Sequence, residues 1–120
     1  GAPFTFSESQ GVRVVLARLF ERDSDVVRPN SRGLVNAVVE LAEKYDEANI
    51  KIEGYTRKGD PTESLATSQL RAKRIKDEMV SAGVSEGRIS VDGMGQGRIR
   101  YPGESSKNDR VEVILTIPSN

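Results

Sequence analysis

The distribution of apolar and polar residues along the chain predicts four β-strands. Apolar positions over residues 12–20 fall on both faces of an extended segment, which is typical of a strand covered on one side and partly covered on the other. Alternation at residues 50–54 gives a second strand with one apolar and one polar face. The stretches RISVDGMG at 88–95 and RVEVILTI at 110–117 are predicted to form the third and fourth strands.

Two longer segments have the spacing of amphipathic α-helices. The first is predicted to cover residues 31–46, with Ser31 as its N-cap. The second is predicted to begin after Asp60, because Asp-Pro-Thr-Glu supplies a capping residue, a Pro at the first helical position and a Glu three residues after the cap. We expect it to end at Gly83, since Gly readily adopts the left-handed conformation that stops a helix. The residues expected to face the core are Leu34, Val38, Leu41, Ala42 and Tyr45 in the first helix, and Leu65, Ser68, Ala72, Ile75 and Met79 in the second.

The resulting order β-α-β-α-β-β predicts an α/β two-layer sandwich. Helices would cover one face of a four-stranded mixed sheet. A chain of 120 residues is long enough for one such core but not for two. We expect the domain to span residues 11–118, and we interpret residues 1–10 as a linker or a non-native remnant. The polar ends suggest a module cut from a longer chain.

The composition argues against several classes of function. The 18 basic residues balance 18 acidic residues, so no net field attracts nucleic acid or an anionic membrane. Three Tyr, three Phe and no Trp provide few surfaces on which bases could stack. No apolar run approaches the roughly 18–20 residues of a membrane span. We therefore predict no nucleic-acid partner and no direct membrane insertion by this domain.

The residue types on which most catalytic and metal sites depend are missing. The chain has no His and no Cys, so the commonest general base and the most reactive nucleophile are absent. Asp23 and Asp25 lie in a polar turn, where a solvated surface is the simpler interpretation. The Gly-rich stretch at 93–97 precedes no helical pattern, so it predicts a turn and not a phosphate loop. We predict a non-enzymatic domain with no metal and no other cofactor.

Cationic residues are the candidates for ligand binding. Arg57 and Lys58 stand side by side where a strand leads into a helix, which favours an anion site. Arg71 adjoins the buried position Ala72, so its guanidinium must stay in a wet groove or be paired. Both a structural ion pair and a carboxylate-binding role remain open for Arg71. A small-anion site formed by Arg57, Lys58 and Arg71 is a further, weaker hypothesis.

Motifs spread over nearly the whole chain carry a family resemblance. The stretch from IKIEGYTRKGD through SQLRAKRIKDEMVSAGVSEGRISVDGMGQ to NDRVEV resembles the OmpA-like domain, a module that associates with peptidoglycan. FERDSDVVRP at 20–29 resembles the upstream motif of that family. The matching positions are Phe20, Asp23, Ser24, Arg28, Pro29, Gly54, Thr56, Ser68, Arg71, Ala72, Gly83, Val84, Arg88, Ile89, Gly93, Gly95, Asn108, Arg110, Val111 and Glu112.

The resemblance implies a periplasmic domain of a cell-envelope protein that holds the stem peptide of peptidoglycan non-covalently. In the family, a loop Asp receives the ammonium of the ligand diamino acid, and a helix Arg receives its carboxylate. Arg71 occupies the place of the helix Arg, whereas Arg57 occupies the place of the loop Asp. Asp109 replaces an Arg of the family motif N-R-R. The ligand-binding residues implied in this way are Arg71, Arg57, Asp23, Thr56, Ser64, Ser68, Asp60, Asn108 and Arg110.

The Arg57 substitution is expected to weaken, alter or abolish binding of the usual diamino acid. An ion pair at ~4 Å in an effective dielectric of ~20 contributes about 4 kcal/mol before desolvation and salt. When the charge of one partner is reversed, this attraction is lost. Because solvent exposure weakens the interaction, the expected loss of binding free energy is roughly 1–3 kcal/mol, or about 5- to 150-fold in affinity. Asp60 could supply a replacement anion, or Arg57 and Arg71 together could bind a ligand with two carboxylates. The alternative is a structural or protein-interaction module of the envelope, whose partners are other envelope proteins or other domains of the parent chain.

Overall fold

The computed structural model describes residues 4–7, 11–56, 60–97 and 108–117, and for residues 4–7 it describes the backbone. Two short 3-10 turns, Pro29–Ser31 and Glu86–Arg88, accompany the regular elements. The elements in chain order are β1 Phe4–Ser7, β2 Gly11–Ala17, α1 Arg32–Lys44, β3 Asn49–Tyr55, α2 Pro61–Ser81, β4 Ile89–Gly93 and β5 Arg110–Thr116.

The strands form one mixed sheet in the order β1-β2-β5-β3-β4. Strands β3 and β4 are parallel, and the remaining neighbours are antiparallel. The predicted α/β class is confirmed, and from β2 onward the predicted order β-α-β-α-β-β is confirmed as well. The sheet contains one strand more than the four expected, because Phe4–Ser7, within the segment interpreted as a linker, pairs with β2 at the sheet edge. Four residues are too few for periodicity to separate a strand from a linker.

One face of the sheet carries the hydrophobic core. Alternate positions of β2, β5 and β3 point to the same side, where both helices pack. The buried apolar residues of this core are Val14 and Leu16 from β2, Val35, Val38, Val39 and Ala42 from α1, Ile50 and Ile52 from β3, Ala72, Ile75 and Met79 from α2, Ile89 from β4, Val111, Val113 and Leu115 from β5, and Leu19, Val27, Ala48 and Val84 from the connecting segments.

The first predicted strand was too long at its carboxyl end. It was expected to continue to residue 20, but β2 ends at Ala17. Arg18 has a φ of 55°, a left-handed conformation that turns the chain out of the sheet. Leu19 is still buried and Phe20 forms an isolated bridge with Val27, which explains why this segment has the apolar pattern of a strand.

Near the amino end of each helix, the buried residues differ from those predicted to face the core. In α1, Val35 is buried whereas Leu34 is exposed. In α2, Leu65 is 43% exposed and its neighbour Ser64 is fully buried. The prediction that Leu34 and Leu65 face the core was therefore wrong. In α2 the physical reason is that the helix lies too close to the sheet here for a large side chain.

That close approach is set by glycine. A Cβ added to Gly54 of β3 would lie 2.1 Å from the carbonyl oxygen of Ser68 in α2. A Cβ added to Gly93 of β4 would lie 2.8 Å from the amide nitrogen of Gln69. The backbone of α2 therefore rests directly on the ends of two parallel strands, and this contact fixes where the next turn of the helix lies.

We expect Gly54→Ala to destabilise the fold. The new methyl group would meet a backbone carbonyl that cannot move without shifting α2, and such overpacking costs about 1–3 kcal/mol or more. The measurement is chemical denaturation of the wild type and the variant. Gly33→Ala in α1 is the matched control, because its Cβ would meet nothing within 4 Å and should stabilise the protein by roughly 0.5–1 kcal/mol. Equal stabilities of the two variants would contradict the contact.

Candidate functional site

Arg71 lies on the buried face of α2. Ser64, Ser68, Arg71 and Ile75 recur at intervals of three and four residues, so they share the face that packs toward the sheet. Only 6% of the Arg71 surface is exposed. The sequence placed this residue at the edge of the buried stripe, and the structure places it within the stripe.

The guanidinium of Arg71 contacts the loop between β2 and α1, residues 18–31, called here the β2–α1 loop. Its Nε donates to the carbonyl oxygen of Ser24 at 2.8 Å, and its Nη2 donates to the carbonyl oxygen of Glu21 at 3.4 Å. The guanidinium also lies 5.3 Å from the centre of the Phe20 ring, within range of a cation–π interaction. Arg71 therefore ties α2 to this loop.

Local interactions fold the loop so that its carbonyl groups face Arg71. The amide of Glu21 donates to the carbonyl oxygen of Val26 at 2.8 Å, which closes a turn. Inside that turn, Asp23 has a φ of 54°, a conformation that Asp adopts more readily than most residues. The Oγ of Ser24 accepts from the amide of Val26 at 2.7 Å. The conformation thus depends on turn-forming side chains at residues 23 and 24.

Arg71 forms no ion pair within 4.0 Å with any described carboxylate. This separates it from other buried or half-buried arginines of the described chain, of which Arg13, Arg74 and Arg110 contact carboxylates. Burial lowers the pKa of the Arg71 guanidinium, while the charges of Asp109, Asp23 and Asp25 act in the opposite direction. A buried cation is therefore surrounded by acidic residues that do not touch it.

The three acidic residues near Arg71 differ in their surroundings. Asp25 accepts from Nε and Nη2 of Arg74 at 3.3 and 3.1 Å. Asp23 is exposed, and its Oδ2 lies 3.8 Å from the Nε of Arg22. Asp109 is half-buried just before β5, and its carbonyl oxygen accepts from the amide of Arg18 at 3.1 Å. The β2–α1 loop therefore contacts the backbone of Asp109 through Arg18 and the side chain of Arg71 through Glu21 and Ser24.

Hydroxyl groups of α2 bind the turn that follows β4. The Oγ of Ser68 donates to the carbonyl oxygen of Leu65 at 2.8 Å and accepts from the amide of Gly95 at 2.9 Å. The Oγ of Ser64 accepts from Nε2 of Gln96 at 2.9 Å. Ser64 and Ser68 thus fix the turn against the helix, and their role toward a ligand remains a prediction.

Thr56 belongs to the same contact region. It is buried, and its amide donates to the carbonyl oxygen of Gly95 at 2.9 Å. Gly95 itself has a φ of 55°, so the Gly-rich stretch forms a turn, as predicted. The structure therefore brings Thr56, Ser64 and Ser68 together around one turn.

Asp60 caps α2 as predicted. Its Oδ1 accepts from the amide of Glu63 at 2.9 Å, and Pro61 occupies the first helical position. The carboxylate of Asp60 is thus engaged at the helix start, which competes with its suggested use as a replacement anion. Arg57 and Lys58, on which much of the sequence interpretation depends, lie outside the described residues.

Comparison with known protein families identifies the family of this chain. The OmpA family matches residues 19–112, which is most of the chain. The chain belongs to the OmpA family. It is also 36% identical over 91 residues to outer membrane porin F of Pseudomonas fluorescens, and the matched part is 75% of this chain. The match covers 28% of the length of that relative, so this OmpA domain corresponds to a minor part of it.

Solved structures agree with the fold of the OmpA domain. The periplasmic domain of Helicobacter pylori MotB has a TM-score of 0.80 at 19% identity, covering 98% of this chain and 90% of that one. The peptidoglycan-associated lipoprotein of Burkholderia pseudomallei has a TM-score of 0.74 at 20% identity, covering 85% of this chain and 89% of that one. Among the described helices, none combines the length and apolar content that crossing a membrane requires.

Asn108 and Arg110 of the OmpA motif on β5 take part in the core of the domain. Both are buried, and the guanidinium of Arg110 lies 3.9 Å from the centre of the Tyr55 ring. Arg110 donates from Nε to Glu112 and from Nη1 to the carbonyl oxygen of Asn108, the latter at 3.3 Å. Arg110 pairs with Tyr55, and Tyr55 follows the helix-facing Gly54. Arg110 therefore points to the face opposite α2 and Arg71.

A network of charges occupies that opposite face, and the sequence analysis did not identify it. Glu112 is 1% exposed and binds both Arg110 and Arg13. Glu53 accepts from Nη1 of Arg13 at 3.3 Å and from Oη of Tyr55 at 3.0 Å. These side chains come from three strands, so only the register of the sheet brings them together.

The pKa of Tyr55 is raised from 10.0 to about 12, first by burial and then by its hydrogen bond to the Glu53 carboxylate. Because the folded state holds this proton more tightly, its stabilising effect is complete below about pH 10 and is lost as the pH rises toward 12. We expect wild-type stability to fall by on the order of 2–3 kcal/mol more than that of Tyr55→Phe across this interval. Denaturant unfolding at stepped pH measures the difference. Parallel declines for the two proteins would contradict the shift.

Proposed function

We propose that this OmpA domain is a non-enzymatic module that holds peptidoglycan non-covalently, with Arg71 binding a carboxylate of the stem peptide. The observation that carries the proposal is the buried guanidinium of Arg71, which has no carboxylate partner among the described residues. The ligand would supply that partner. The setting is the periplasm, with attachment to the wall or outer membrane through the parent protein.

The energetics of burial support a ligand carboxylate at this position. Removing a cation from water costs several kcal/mol unless hydrogen bonds and an opposite charge compensate. Arg88 shows how the chain satisfies another arginine, because it donates three bonds of 2.8–3.1 Å to the carbonyl oxygens of Ala42, Tyr45 and Ala48 at the end of α1. Arg71 has two such bonds, one of them long, and its Nη1 bonds to no described residue. A planar guanidinium with a remaining donor suits a carboxylate.

The names of the relatives are consistent with this setting. The Burkholderia pseudomallei structure is a peptidoglycan-associated lipoprotein, and the Pseudomonas fluorescens relative is an outer membrane porin. Because this chain matches only 28% of the porin, we do not extend the activity of the whole porin to it. The proposal concerns the wall-binding module alone.

We further propose that binding of the usual diamino acid is weaker than in the family at large. The family resemblance places Arg57 where a loop Asp would receive the ligand ammonium. A cation at this position repels the ammonium, and the expected loss is about 5- to 150-fold in affinity. Asp60 is already bonded to the amide of Glu63, which makes it a poor substitute.

The second candidate is a structural or interaction module without wall binding. The bonds from Arg71 to the carbonyl oxygens of Glu21 and Ser24 favour it, because they give Arg71 a role that needs no ligand. In that case Arg71 would serve to fix the β2–α1 loop, and the partners would be other envelope proteins or other domains of the parent chain.

Co-sedimentation with purified peptidoglycan sacculi separates the two candidates. We expect the wild type to pellet weakly. The affinity for peptidoglycan should fall by about tenfold or more in Arg71→Ala and rise by about 5- to 150-fold in Arg57→Asp. Arg74→Ala is the matched control, since Arg74 lies on the same helix, pairs with Asp25 and is half-buried. It should pellet like the wild type.

A variant that does not fold would also fail to pellet. Thermal unfolding therefore tests whether each variant is folded, and Arg71→Lys is a second, more conservative substitution. If Arg71→Ala does not fold, Arg71→Lys replaces it in the test. Lys retains the positive charge but not the planar guanidinium, so this variant should bind less peptidoglycan than Arg74→Ala. Equal pelleting of the wild type, the folded Arg71 variants and Arg74→Ala would overturn the proposal. Failure of the wild type and of Arg57→Asp to pellet at all would favour the structural module.

A further inference from the structure

Strand β4 lies at one edge of the described sheet. It pairs with β3 on its inner side, and no described strand pairs with its outer side. Its three central residues, Ser90, Val91 and Asp92, are all exposed. The outer side of an edge strand is a template for pairing with another chain, because its amide and carbonyl groups have no partner within the sheet.

The outward groups of β4 belong to alternate residues. The amide of Met94, just after β4, donates to the carbonyl oxygen of Gly54 in β3 at 2.8 Å. The backbone groups of successive residues in a strand point to opposite sides, so those of Ser90 and Asp92 also point inward to β3. The residues whose amide and carbonyl groups point outward are therefore Ile89, Val91 and Gly93.

We propose that β4 pairs with β4 of a second copy of this chain, antiparallel and around a two-fold axis at Val91. In this register Val91 faces Val91 of the second copy, and Ile89 faces Gly93. Each of these pairs joins two outward-pointing residues, as a hydrogen-bonded antiparallel pair requires. An axis at Ser90 or Asp92 joins inward-pointing residues and forms no such bonds.

The side chains of β4 are self-complementary in this register. Ser90 faces Asp92 of the second copy in a non-hydrogen-bonded pair, where side chains approach most closely. The Ser90 hydroxyl is a donor and the Asp92 carboxylate an acceptor, so Asp92 meets a donor and not its own charge. On the helix face, Val91 pairs with the core residue Ile52 and is itself 40% exposed. Its own copy covers it across the axis.

One flank of α2 lies beside β4. A Cβ added to Gly93 would lie 2.1 Å from the side-chain Cγ of Gln69. Seven residues along the helix, the Nζ of Lys76 lies 3.5 Å from the Oε1 of Glu86, in the 3-10 turn that precedes β4. Gln69 and Lys76 therefore mark the flank of α2 at the β4 edge of the sheet.

The two-fold axis brings two such flanks together. Strands rise about 3.3 Å per residue and helices about 1.5 Å, and α2 runs antiparallel to β4, so the part of α2 beside Val91 lies about four residues after Gln69. The axis therefore passes near Lys73, which brings Leu65 toward Val80 of the second copy. These two residues share the flank by helical spacing and are 43% and 37% exposed.

The spacing of the sheet suits contact between the two helices. Neighbouring strands are about 4.8 Å apart and α2 lies over β3 and β4, so the two α2 axes come about 10 Å apart, close to the distance at which helices pack. The formal net charge of zero does not oppose association. Lys73, near the axis, is paired with Asp77 of its own helix at 3.1 Å.

This interface is separate from the proposed wall site and does not depend on it. Arg71 contacts the β2–α1 loop, on the flank of α2 opposite to the one that carries Gln69. A pair of chains joined through β4 thus presents two Arg71 side chains at separate positions. If each binds the wall as proposed above, the pair attaches at two points, which increases avidity without any new contact to the ligand.

Sedimentation equilibrium of the intact 120-residue chain tests the interface. Between about 10 μM and about 2 mM, we expect the wild type to shift from monomer to dimer. Val91→Lys should raise the dissociation constant about tenfold, because it places two cations opposite each other at the axis. Val26→Lys is the matched control, since Val26 is 49% exposed but lies on the β2–α1 loop. Its dissociation constant should stay within about twofold of the wild-type value.

Disulfide cross-linking tests the register. The chain has no Cys, so a single introduced thiol reports one contact. In a hydrogen-bonded antiparallel pair the Cα atoms lie about 5.5 Å apart, a distance that a disulfide spans, so Val91→Cys should form a covalent dimer under mild oxidation. Ser90→Cys is the control, because this exposed neighbour is displaced from its own copy by two residues and should cross-link about tenfold more slowly.

The outcomes decide both the interface and its register. A wild type that stays monomeric at about 2 mM, or a dissociation constant that Val91→Lys leaves unchanged, would overturn the interface. Equal cross-linking of Val91→Cys and Ser90→Cys would overturn the register. Chemical denaturation shows whether each variant is folded, and if Val91→Lys is not, the two Cys variants decide. Arg71→Ala should dimerise like the wild type, so failure of wall binding leaves this inference standing.

Discussion

The direct contact of α2 with the ends of β3 and β4 is the constraint on which the rest of the structure depends. Gly54 and Gly93 leave no room for side chains, so the helix backbone rests on the sheet at this end. Ser64 and Ser68 are buried in the same region, where small polar residues fit and bind the turn after β4. One turn further along the helix, this geometry brings Arg71 to the β2–α1 loop.

Buried charged residues on the two faces of the sheet have different kinds of partner. On the face opposite the helices, a series of ion pairs links Arg13, Glu53, Glu112 and Arg110. Removing one partner from such a set leaves an uncompensated buried charge, which is costly. On the helix face, Arg71 is bonded to backbone carbonyl oxygens and is surrounded by acids at a distance. The first arrangement pairs cations with carboxylates of the chain, and the second is the one at which we propose that a ligand carboxylate binds.

The residues of β5 that match the OmpA motif lie on both faces of the sheet. Of the β5 residues that match the family motif, Arg110 and Glu112 belong to the ion-pair network, whereas Val111 faces the core. Two positions depart from the family pattern: Asp109, which immediately precedes β5, and Arg57, which lies outside the described residues. The ion-pair network and the buried guanidinium of Arg71 therefore lie on different faces of one sheet.

The sequence by itself determined the fold class, the order of the elements and the cap at Asp60, because periodicity and capping are local properties of the chain. The sequence also indicated Arg71 as a candidate ligand-binding residue, because it matches the family motif and adjoins the buried Ala72. It misplaced the end of β2 and the exposure of Leu65, because the left-handed conformation of Arg18 and the close approach at Gly54 depend on tertiary packing. The carbonyl partners of Arg71 and the network around Glu112 join residues about 40 to 100 positions apart. Only the strand register and the path of the β2–α1 loop decided those contacts, since no pattern within one segment records which distant segment will lie beside it.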